Sequence, residues 1–527
     1  MSKILLIGGT DPSGAGLQTD WQVAHYLGVN ASSVVSAVTS QNSEGVFDQG
    51  VLAYSQIKSQ LDSIKSEPFT VIKIGMLGNA DAVKAVVEFI ASNNQLLKSK
   101  HRKAFVIADP VLASSSGGAL MDEAGKQAFL SDLLPLITLI TPNSDELESL
   151  TGISISNEQD LATAAQQLIT LGAKNVLVKG GHLYNANDTN QSNDLFVSVD
   201  GSANIKGEEE SFYLSGERWK NRSNVRGTGC SLATAIACQL SLGFPLNDSI
   251  VYAKALISNG IRNASLTENN QYKLQFSHYD THHPFELMDM PKLVKHAEML
   301  SKNFNFACCD AVSDSNSGNI ICNKEPNNKL GIYPVVDSLE WLQKLIPLGI
   351  KTIQLRIKDQ HPDDVEEDII AAIKLAKKYN VRLFINDYWQ LAVKHQAYGI
   401  HLGQEDLDDA DMASIAQSGC RLGVSTHSYT EVARTLAINP SYIALGPIYE
   451  TTSKIMPWIP QGVTAVEKWV NLLGKQFPLV AIGGINYQRA AALKQTGIGS
   501  VAMISAIIKT ENYELATEEL LELWEDV

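Results

Sequence analysis

The chain has 527 residues, 44% hydrophobic and 19% charged, with 42 Lys plus Arg against 57 Asp plus Glu and a formal charge of −15. These values exclude a disordered, charge-solvated chain and disfavour a global attraction to nucleic acid or to an anionic membrane. No run approaches the ~18–20 apolar residues of a membrane span, and six cysteines in so long a chain are not a secreted disulfide framework, so the cytoplasm is the expected compartment.

The N-terminal apolar run Ile4–Gly8 is too short for a signal peptide and ends in a glycine-rich turn. From there short β-branched runs alternate with helical patterns. Strands are predicted at Lys3–Ile7, Val34–Val38, Val71–Ile74, Phe105–Ala108, Leu139–Thr141 and Val176–Val178. Helices are predicted at Leu17–Leu27, Ile57–Ile64 and Ala82–Ile90. This alternation predicts a mostly parallel sheet covered by helices. A hairpin is expected from Leu195–Val199 and Ser211–Leu214, then a small-residue helix over Thr228–Leu242.

Three glycine or acid clusters sit where such strands end. Gly8–Gly16 follows the first strand; it lacks the Lys and Ser/Thr of a Walker A loop and instead suits a glycine-lined wall with Asp11 as a polar anchor. Asn143-Ser144-Asp145-Glu146 follows a strand, and its amide and carboxylate can share a helix face to hold Mg2+ near phosphates. Taken alone, helix capping explains it better. Arg226-Gly227-Thr228-Gly229-Cys230 opens a helix, where N–H groups converge on an anion. Cys230 in that first turn is expected to have a lowered pKa and to act as a base; the bland alternative is a tight loop with a buried cysteine.

With Lys73-Ile74-Gly75-Met76, Asp109-Pro110-Val111 and Val178-Lys179-Gly180-Gly181-His182, these motifs resemble the hydroxymethylpyrimidine and phosphomethylpyrimidine kinases of the ribokinase-like superfamily, from Lys3 to about Phe285. The resemblance implies an α/β sandwich and two ATP-dependent phosphorylations of the thiamine pyrimidine precursor. It places Gly9, Asp11, Gln41 and Met76 in the pyrimidine pocket and Gly227 and Gly229 in the anion hole. It makes Cys230 the base, Lys179 a nucleotide-site residue, and Asn143 and Glu146 the Mg2+ and phosphate motif. Gln41 stands where some members have Glu, and Arg226 replaces a common His; Arg226 is given no catalytic role. A pyridoxal kinase is the rival reading for this half.

Residues 1–285 thus form an expected first domain, and 286–330 an expected linker with an amphipathic helix over Pro291–Lys302 and a polar stretch beyond. Cys308, Cys309 and Cys322 lack the spacing of a zinc site.

From Gly331 to the last residue, 527, eight apolar runs are each followed by a helical pattern: Ile332–Val336, Thr352–Leu355, Arg382–Ile385, Gly399–Leu402, Arg421–Val424, Tyr442–Leu445, Leu479–Ile482 and Ser500–Met503. Eight βα units predict a TIM (β/α)8 barrel, with chemistry at the C-terminal strand ends. Gln354, Arg356 and Lys358 alternate to one side there, and two cations suit a diphosphate. Asp387 and Asp406 end adjacent strands and can share Mg2+ with diphosphate oxygens. His401, alone in a strand, reads as a satisfied core residue. Gly484 and Ser505 occupy the usual phosphate corner of such barrels.

The strings QLRIK, FINDY, GIHLGQEDL, LGVSTH, ALGPIYETTSK, VAIGGI and VAMISAI resemble thiamine-phosphate synthase, from about Leu330 to Trp524. The resemblance implies condensation of hydroxymethylpyrimidine diphosphate with thiazole phosphate, releasing diphosphate. By its motif positions Gln354, Arg356, Lys358, Asn386 and Lys454 contact the pyrimidine diphosphate, Asp387 and Asp406 hold Mg2+, and Ser425 lies beside the reacting groups. Arg356, Lys454 and Ser425 are its catalytic candidates. Thr451, Ser453, Gly484 and Ser505 match thiazole-phosphate positions. Ser453 replaces a usual Thr, and the loop Ile455–Gln461 is unusually bulky. A thiazole tautomerase would have lost the diphosphate and metal residues, and a non-catalytic fusion would show substitutions at Cys230, Asp387 or Asp406. The small-molecule partners are accordingly ATP, the pyrimidine and its phosphates, and thiazole phosphate, with no nucleic acid or membrane and with a homo-oligomer expected from the family.

Overall fold

Every side chain from Ile4 to Ile7 is buried, and a period-two strand achieves that only when both faces of its sheet are covered. A computed structural model of the protein describes residues 3–12, 14–41, 45–98, 102–114, 118–180, 190–199, 210–219, 225–267, 272–276, 284–309, 311–313, 320–322, 329–450 and 460–525. The chain divides into two units, Met1–Leu300 and Ser301–Val527.

In the first unit the strands are β1 (Lys3–Thr10), β2 (Asn30–Gln41), β3 (Val46–Val51), β4 (Val71–Ile74), β5 (Phe105–Ala108), β6 (Leu139–Ile140), β7 (Asn175–Val178), β8 (Gln191–Ser198), β9 (Glu210–Glu217), β10 (Val225–Arg226), β11 (Ser265–Leu266), β12 (Tyr272–Lys273) and β13 (Lys292–Val294). Ten of them form one sheet in the order β13-β9-β8-β7-β6-β5-β4-β1-β2-β3. The pairs from β2 through β1, β4, β5 and β6 to β7 are parallel, and both flanks are antiparallel. This is the covered, mostly parallel sheet that the alternating pattern predicts.

Strand β3 and the buried helix Leu246–Arg262 are additions to the predicted elements. The helix expected over Pro291–Lys302 is absent: Lys292–Val294 pairs antiparallel with β9, and a short 3-10 turn follows at Ala297–Ser301. The open edge of β9 offers backbone hydrogen bonds that outweigh the helical periodicity of so short a segment.

The second unit begins with the antiparallel pair β14 (Ala311–Ser313) and β15 (Ile320–Cys322). Strands β16 (Gly331–Val336), β17 (Thr352–Leu355), β18 (Arg382–Asn386), β19 (Gly399–Leu402), β20 (Arg421–Thr426), β21 (Tyr442–Leu445), β22 (Leu479–Ile482) and β23 (Ser500–Met503) then close into a parallel barrel. A helix follows each strand, which is the (β/α)8 arrangement. The barrel interior is aromatic: Tyr333, Phe384 and Tyr442 are almost fully buried, and Phe384 meets Tyr442 edge-on at 5.0 Å between centroids. Such pairs contribute about 0.5–1.5 kcal/mol beyond burial.

The floor of this barrel comes from upstream of its first strand. Cys309 is buried with Tyr333, Phe384 and Tyr442. Its carbonyl accepts from the Tyr398 hydroxyl, the Cys308 carbonyl accepts from Arg421 Nε at 3.1 Å, and the Ala307 carbonyl accepts from Ser441 Oγ at 2.6 Å. Tyr398, Arg421 and Ser441 all stand at the N-terminal ends of strands, so part of the expected linker closes the bottom of the barrel. Cys308 is disulfide-bonded, whereas Cys230, Cys238, Cys309 and Cys420 are free thiols.

Candidate functional sites

In the sheet of the first unit, β1 lies between β2 and β4, so successive connections leave it in opposite directions. Loops that diverge at such a switch point open a crevice beyond the carboxyl ends of the strands. Four expected pyrimidine-pocket residues meet there. Gly9 approaches Met76 so closely that a Cβ would lie 3.0 Å from Sδ. Gln41, at the end of β2, donates from Nε2 to Asp11 Oδ2 at 2.7 Å.

A second cluster lies past β5, β6 and β7. Lys179 Nζ reaches Asp109 Oδ1 at 2.6 Å and Glu146 Oε2 at 3.5 Å. Asn143 and Glu146 form a reciprocal capping box on the helix Ser144–Thr151, each backbone N–H donating to the other's side chain at 2.8 Å. Capping therefore does describe this motif, and the same Glu146 also faces Lys179. Burial pushes Glu146 up to about 7, with Asp109 adding to the rise and Lys179 opposing it. Asp109 is held below the usual carboxylate range because Lys179 and Lys73 outweigh its burial.

The helix Thr228–Ser241 starts against this cluster. Gly227 caps it at φ 79°, a left-handed conformation that favours glycine. A Cβ on Gly229 would lie 3.1 Å from Lys179 Nζ, so the free N–H groups of the first turn and the ammonium share one locale. Cys230 departs from its expected chemistry: its side chain is only half-buried, yet desolvation pushes its thiol up to about 12, with Asp109 and Asp20 adding to the rise and Lys73 and Lys179 opposing it. Desolvation disfavours a thiolate, whereas a helix N-terminus favours one.

Lys73, Asp20 and Asp109 are site residues that the sequence reading left without a role. Lys73 Nζ pairs with Asp20 Oδ2 at 2.7 Å, both side chains being 1% exposed, and Thr234 Oγ1 donates to Asp20 Oδ1 at 2.7 Å. Their signal was a lysine inside a β-branched run and an acid within an apolar helix face.

In the barrel those of the expected residues that are described lie at or just beyond the C-terminal strand ends. Gln354 Nε2 donates to Asn386 Oδ1 at 2.9 Å, both buried. Arg356 is half-buried; burial lowers its pKa while Asp387 and Asp359 counter that. Lys358 is exposed. Asp387 takes φ 63°, and its N–H donates to the His401 carbonyl at 3.1 Å. Asp406 Oδ2 accepts from Gly403 N at 2.9 Å. The two carboxylates thus follow adjacent strands, β18 and β19. Gly484 has φ 64°, and a Cβ there would meet the Glu450 carbonyl at 2.3 Å. Ser505 starts a short helix after β23. Thr451, Ser453 and Lys454, with Ile455–Ile459 of the bulky loop, lie outside the described residues.

His401 is satisfied, as its position in a strand predicts, but its partner gives it significance. Nε2 lies 2.8 Å from Ser425 Oγ and Nδ1 lies 2.7 Å from the Tyr442 hydroxyl. Burial, with Arg356 nearby, pushes it down to about 3, so the ring is neutral.

The residues fit Mg2+ at both sites. They offer hard oxygen donors, one carboxylate in the first unit and two in the barrel, and Mg2+ takes its remaining ligands from phosphate and water. Among the described residues no group of three or more His, Cys, Asp or Glu forms a complete protein cage for a metal. No helix among them is long and apolar enough to cross a membrane.

Comparison with known proteins places each site in a family context. Residues 11–275 match the family described as phosphomethylpyrimidine kinase, and residues 332–507 match thiamine monophosphate synthase. The barrel half is similar to the thiamine-phosphate synthase of Proteus mirabilis, 58% identical over 197 residues, 37% of this chain and 91% of that protein. It is also similar to that of Escherichia coli strain CFT073, 53% identical over 195 residues, 37% of this chain and 92% of that one. Among solved structures, a phosphomethylpyrimidine kinase from Clostridium difficile 630 is 32% identical, covering 50% of this chain and 100% of that one at a TM-score of 0.40. A pyridoxal kinase from Staphylococcus aureus is 23% identical, covering 56% and 98% at a TM-score of 0.46.

Proposed function

Since the chain belongs to the phosphomethylpyrimidine kinase family in its first half and to the thiamine-phosphate synthase family in its barrel, we propose how its residues carry out the two activities in thiamine biosynthesis. The first unit phosphorylates 4-amino-5-hydroxymethyl-2-methylpyrimidine with ATP, to the monophosphate and then the diphosphate. The barrel joins that diphosphate to 4-methyl-5-(2-phosphoethyl)thiazole, giving thiamine phosphate and diphosphate. The kinase activity belongs to Met1–Leu300 and the synthase activity to Ser301–Val527.

In the kinase, Gly9 and Met76 form a wall for the flat pyrimidine, and Asp11 with Gln41 supplies its polar contacts. Phosphoryl transfer needs little covalent help from the protein and much positioning and charge stabilisation. Lys179 and the N–H groups from Gly227 to Gly229 supply these, and Asn143 and Glu146 would hold Mg2+ near the phosphates. For Cys230 to take the hydroxyl proton it must first lose its own, and Lys73 and Lys179 are the charges that favour that loss. The observation that carries this reading is the approach of Lys179, paired with Asp109, to Gly229 at the helix start.

In the barrel, Gln354 and Asn386 hold the pyrimidine end, and Arg356, Lys358 and Lys454 hold the diphosphate. Asp387 and Asp406 would hold Mg2+, which would supply charge neutralisation to the leaving diphosphate. The electron-rich aminopyrimidine stabilises positive charge on its methylene, so no protein nucleophile is needed. Gly484 and Ser505, with Thr451 and Ser453, receive the thiazole phosphate. The reading carries with it Mg2+ as cofactor, a cytoplasmic setting, no nucleic-acid or membrane partner, and a homo-oligomer, supported by family membership and the acidic charge.

The test is an ATP and Mg2+ assay of the full chain with the hydroxymethylpyrimidine, with and without thiazole phosphate. Cys230→Ala is expected to cut phosphorylation by about 10²-fold or more while leaving synthesis from preformed diphosphate intact. Asp387→Ala with Asp406→Ala should do the reverse. Absence of phosphorylation by the intact protein overturns the kinase reading, and undiminished synthesis in the double variant overturns the metal assignment.

A further inference from the structure

A chain of hydrogen bonds runs up the inside of the barrel. The Tyr333 hydroxyl lies 2.9 Å from that of Tyr442, the Tyr442 hydroxyl 2.7 Å from His401 Nδ1, and His401 Nε2 2.8 Å from Ser425 Oγ. Tyr333, Tyr442 and His401 are 1%, 0% and 8% exposed. Among the described residues none of the three side chains has another hydrogen-bond partner, and neither does the Ser425 hydroxyl.

That closure fixes the direction of the chain. A neutral imidazole carries one donor and one acceptor, and a protonated ring, donating from both nitrogens, would leave one of the two phenol O–H groups without an acceptor. If Nε2 carries the hydrogen, it donates to Ser425, Nδ1 accepts from Tyr442, and the Tyr442 oxygen accepts from Tyr333. Every buried hydrogen then has an acceptor. If Nδ1 carries it instead, it donates to the Tyr442 oxygen. The two phenols then hold two hydrogens between them with only one acceptor, and one buried O–H is left without a partner. Buried polar hydrogens are rarely left so.

We propose that Tyr333, Tyr442 and His401 form a one-way relay that makes Ser425 a hydrogen-bond donor into the barrel mouth, aimed at an anionic oxygen of the diphosphate substrate. Ser425 already accepts from His401, so its own hydrogen is the one left to give. The diphosphate is favoured over the thiazole phosphate by placement. His401 sits on β19, beside Asp387 and before Asp406, and feels the charge of Arg356. Gly484 and Ser505 follow β22 and β23. Tyr442 and His401 are positioning residues, acting through Ser425. The inference rests on the synthase reading of the barrel.

Two measurements on the full chain test it. Nitrogen NMR of histidine-labelled, ligand-free protein, with the resonance assigned by its loss in His401→Gln, should show the Nε2–H tautomer. This reads the wild-type fold, does not depend on any variant's stability, and does not depend on activity. In the synthase assay with preformed diphosphate, Tyr442→Phe should lower kcat about tenfold with the KM for thiazole phosphate unchanged. Tyr333→Phe should have a smaller effect, because Tyr442 keeps its own hydrogen on Nδ1. The pair Tyr442→Phe with Ser425→Ala should be no slower than Ser425→Ala alone. An Nδ1–H tautomer, or losses that simply multiply in the double variant, would overturn the relay. A wild-type protein that makes no thiamine phosphate would overturn the synthase reading instead, with the tautomer still deciding the relay.

Discussion

Burial of Glu146 works against both the capping bond it makes and the Mg2+ role proposed for it. As part of the capping box it accepts from Asn143 N at 2.8 Å, and burial pushes it from a usual 4.5 up to about 7. A carboxyl raised on folding favours the native state most below its unfolded value. That contribution is lost as pH climbs through about 7. Orienting Mg2+ runs the other way, since it requires the carboxylate. Kinase kcat/KM at limiting Mg2+ should therefore fall as pH drops below about 7, with the limb moving to lower pH as Mg2+ is raised. Glu146→Gln should abolish the limb; a limb that survives it belongs to another group. At this scale the sequence revealed which residues gather and not how they titrate. Cys230 was legible as a helix-start cysteine, but the desolvation that raises its thiol belongs to the packed fold. His401 was legible as a core histidine, whereas its bond to Ser425 depends on the register of β19 against β20.

Elements were legible where the pattern is long or repeated. The eight barrel runs all became strands because each is a short apolar stretch with polar residues at its C-terminal end. The segment at Pro291–Lys302 misled because apolar residues three and four apart look alike in a helix and in a short edge strand followed by a 3-10 turn. What decided it was the unpaired edge of β9, which lies about 80 residues upstream in sequence. The turn after β7 shows how tightly an element can constrain the site. Gly180 N donates to Asp194 Oδ1 at 2.8 Å, Asp194 Oδ2 pairs with Lys254 Nζ at 2.8 Å, and a Cβ on Gly180 would lie 1.6 Å from the Asn193 carbonyl oxygen. Gly180→Ala must push β7 and β8 apart beside Lys179. It should cost about 1–3 kcal/mol of stability in the first unit by denaturant titration and weaken ATP use, with synthase activity from preformed diphosphate unchanged. An alanine variant of wild-type stability and ATP dependence would refute that account.

Across the whole molecule, a net charge of −15 accompanies ligands that are phosphorylated or become so. On the proposed function, binding rests on local cations such as Lys179 and Arg356, on helix starts and on Mg2+, and moderate salt should weaken it less than it weakens a long-range attraction. The two-unit division was legible from the change in pattern near residue 331; the upstream reach of the second unit was not, because Ala307, Cys308 and Cys309 lie in a stretch with no periodicity to mark them as structural. They nonetheless give carbonyls to Ser441, Arg421 and Tyr398. A barrel expressed from residue 301 should unfold cooperatively and make thiamine phosphate from preformed diphosphate. One expressed from residue 331 should be less stable and expose Tyr398 to quenchers; equal melting temperatures for the two would show the floor to be dispensable. The seam between the activities is thus displaced from the first catalytic strand. Anyone exchanging modules between such chains, or any recombination event that did so, would need to carry this upstream stretch with the barrel it closes.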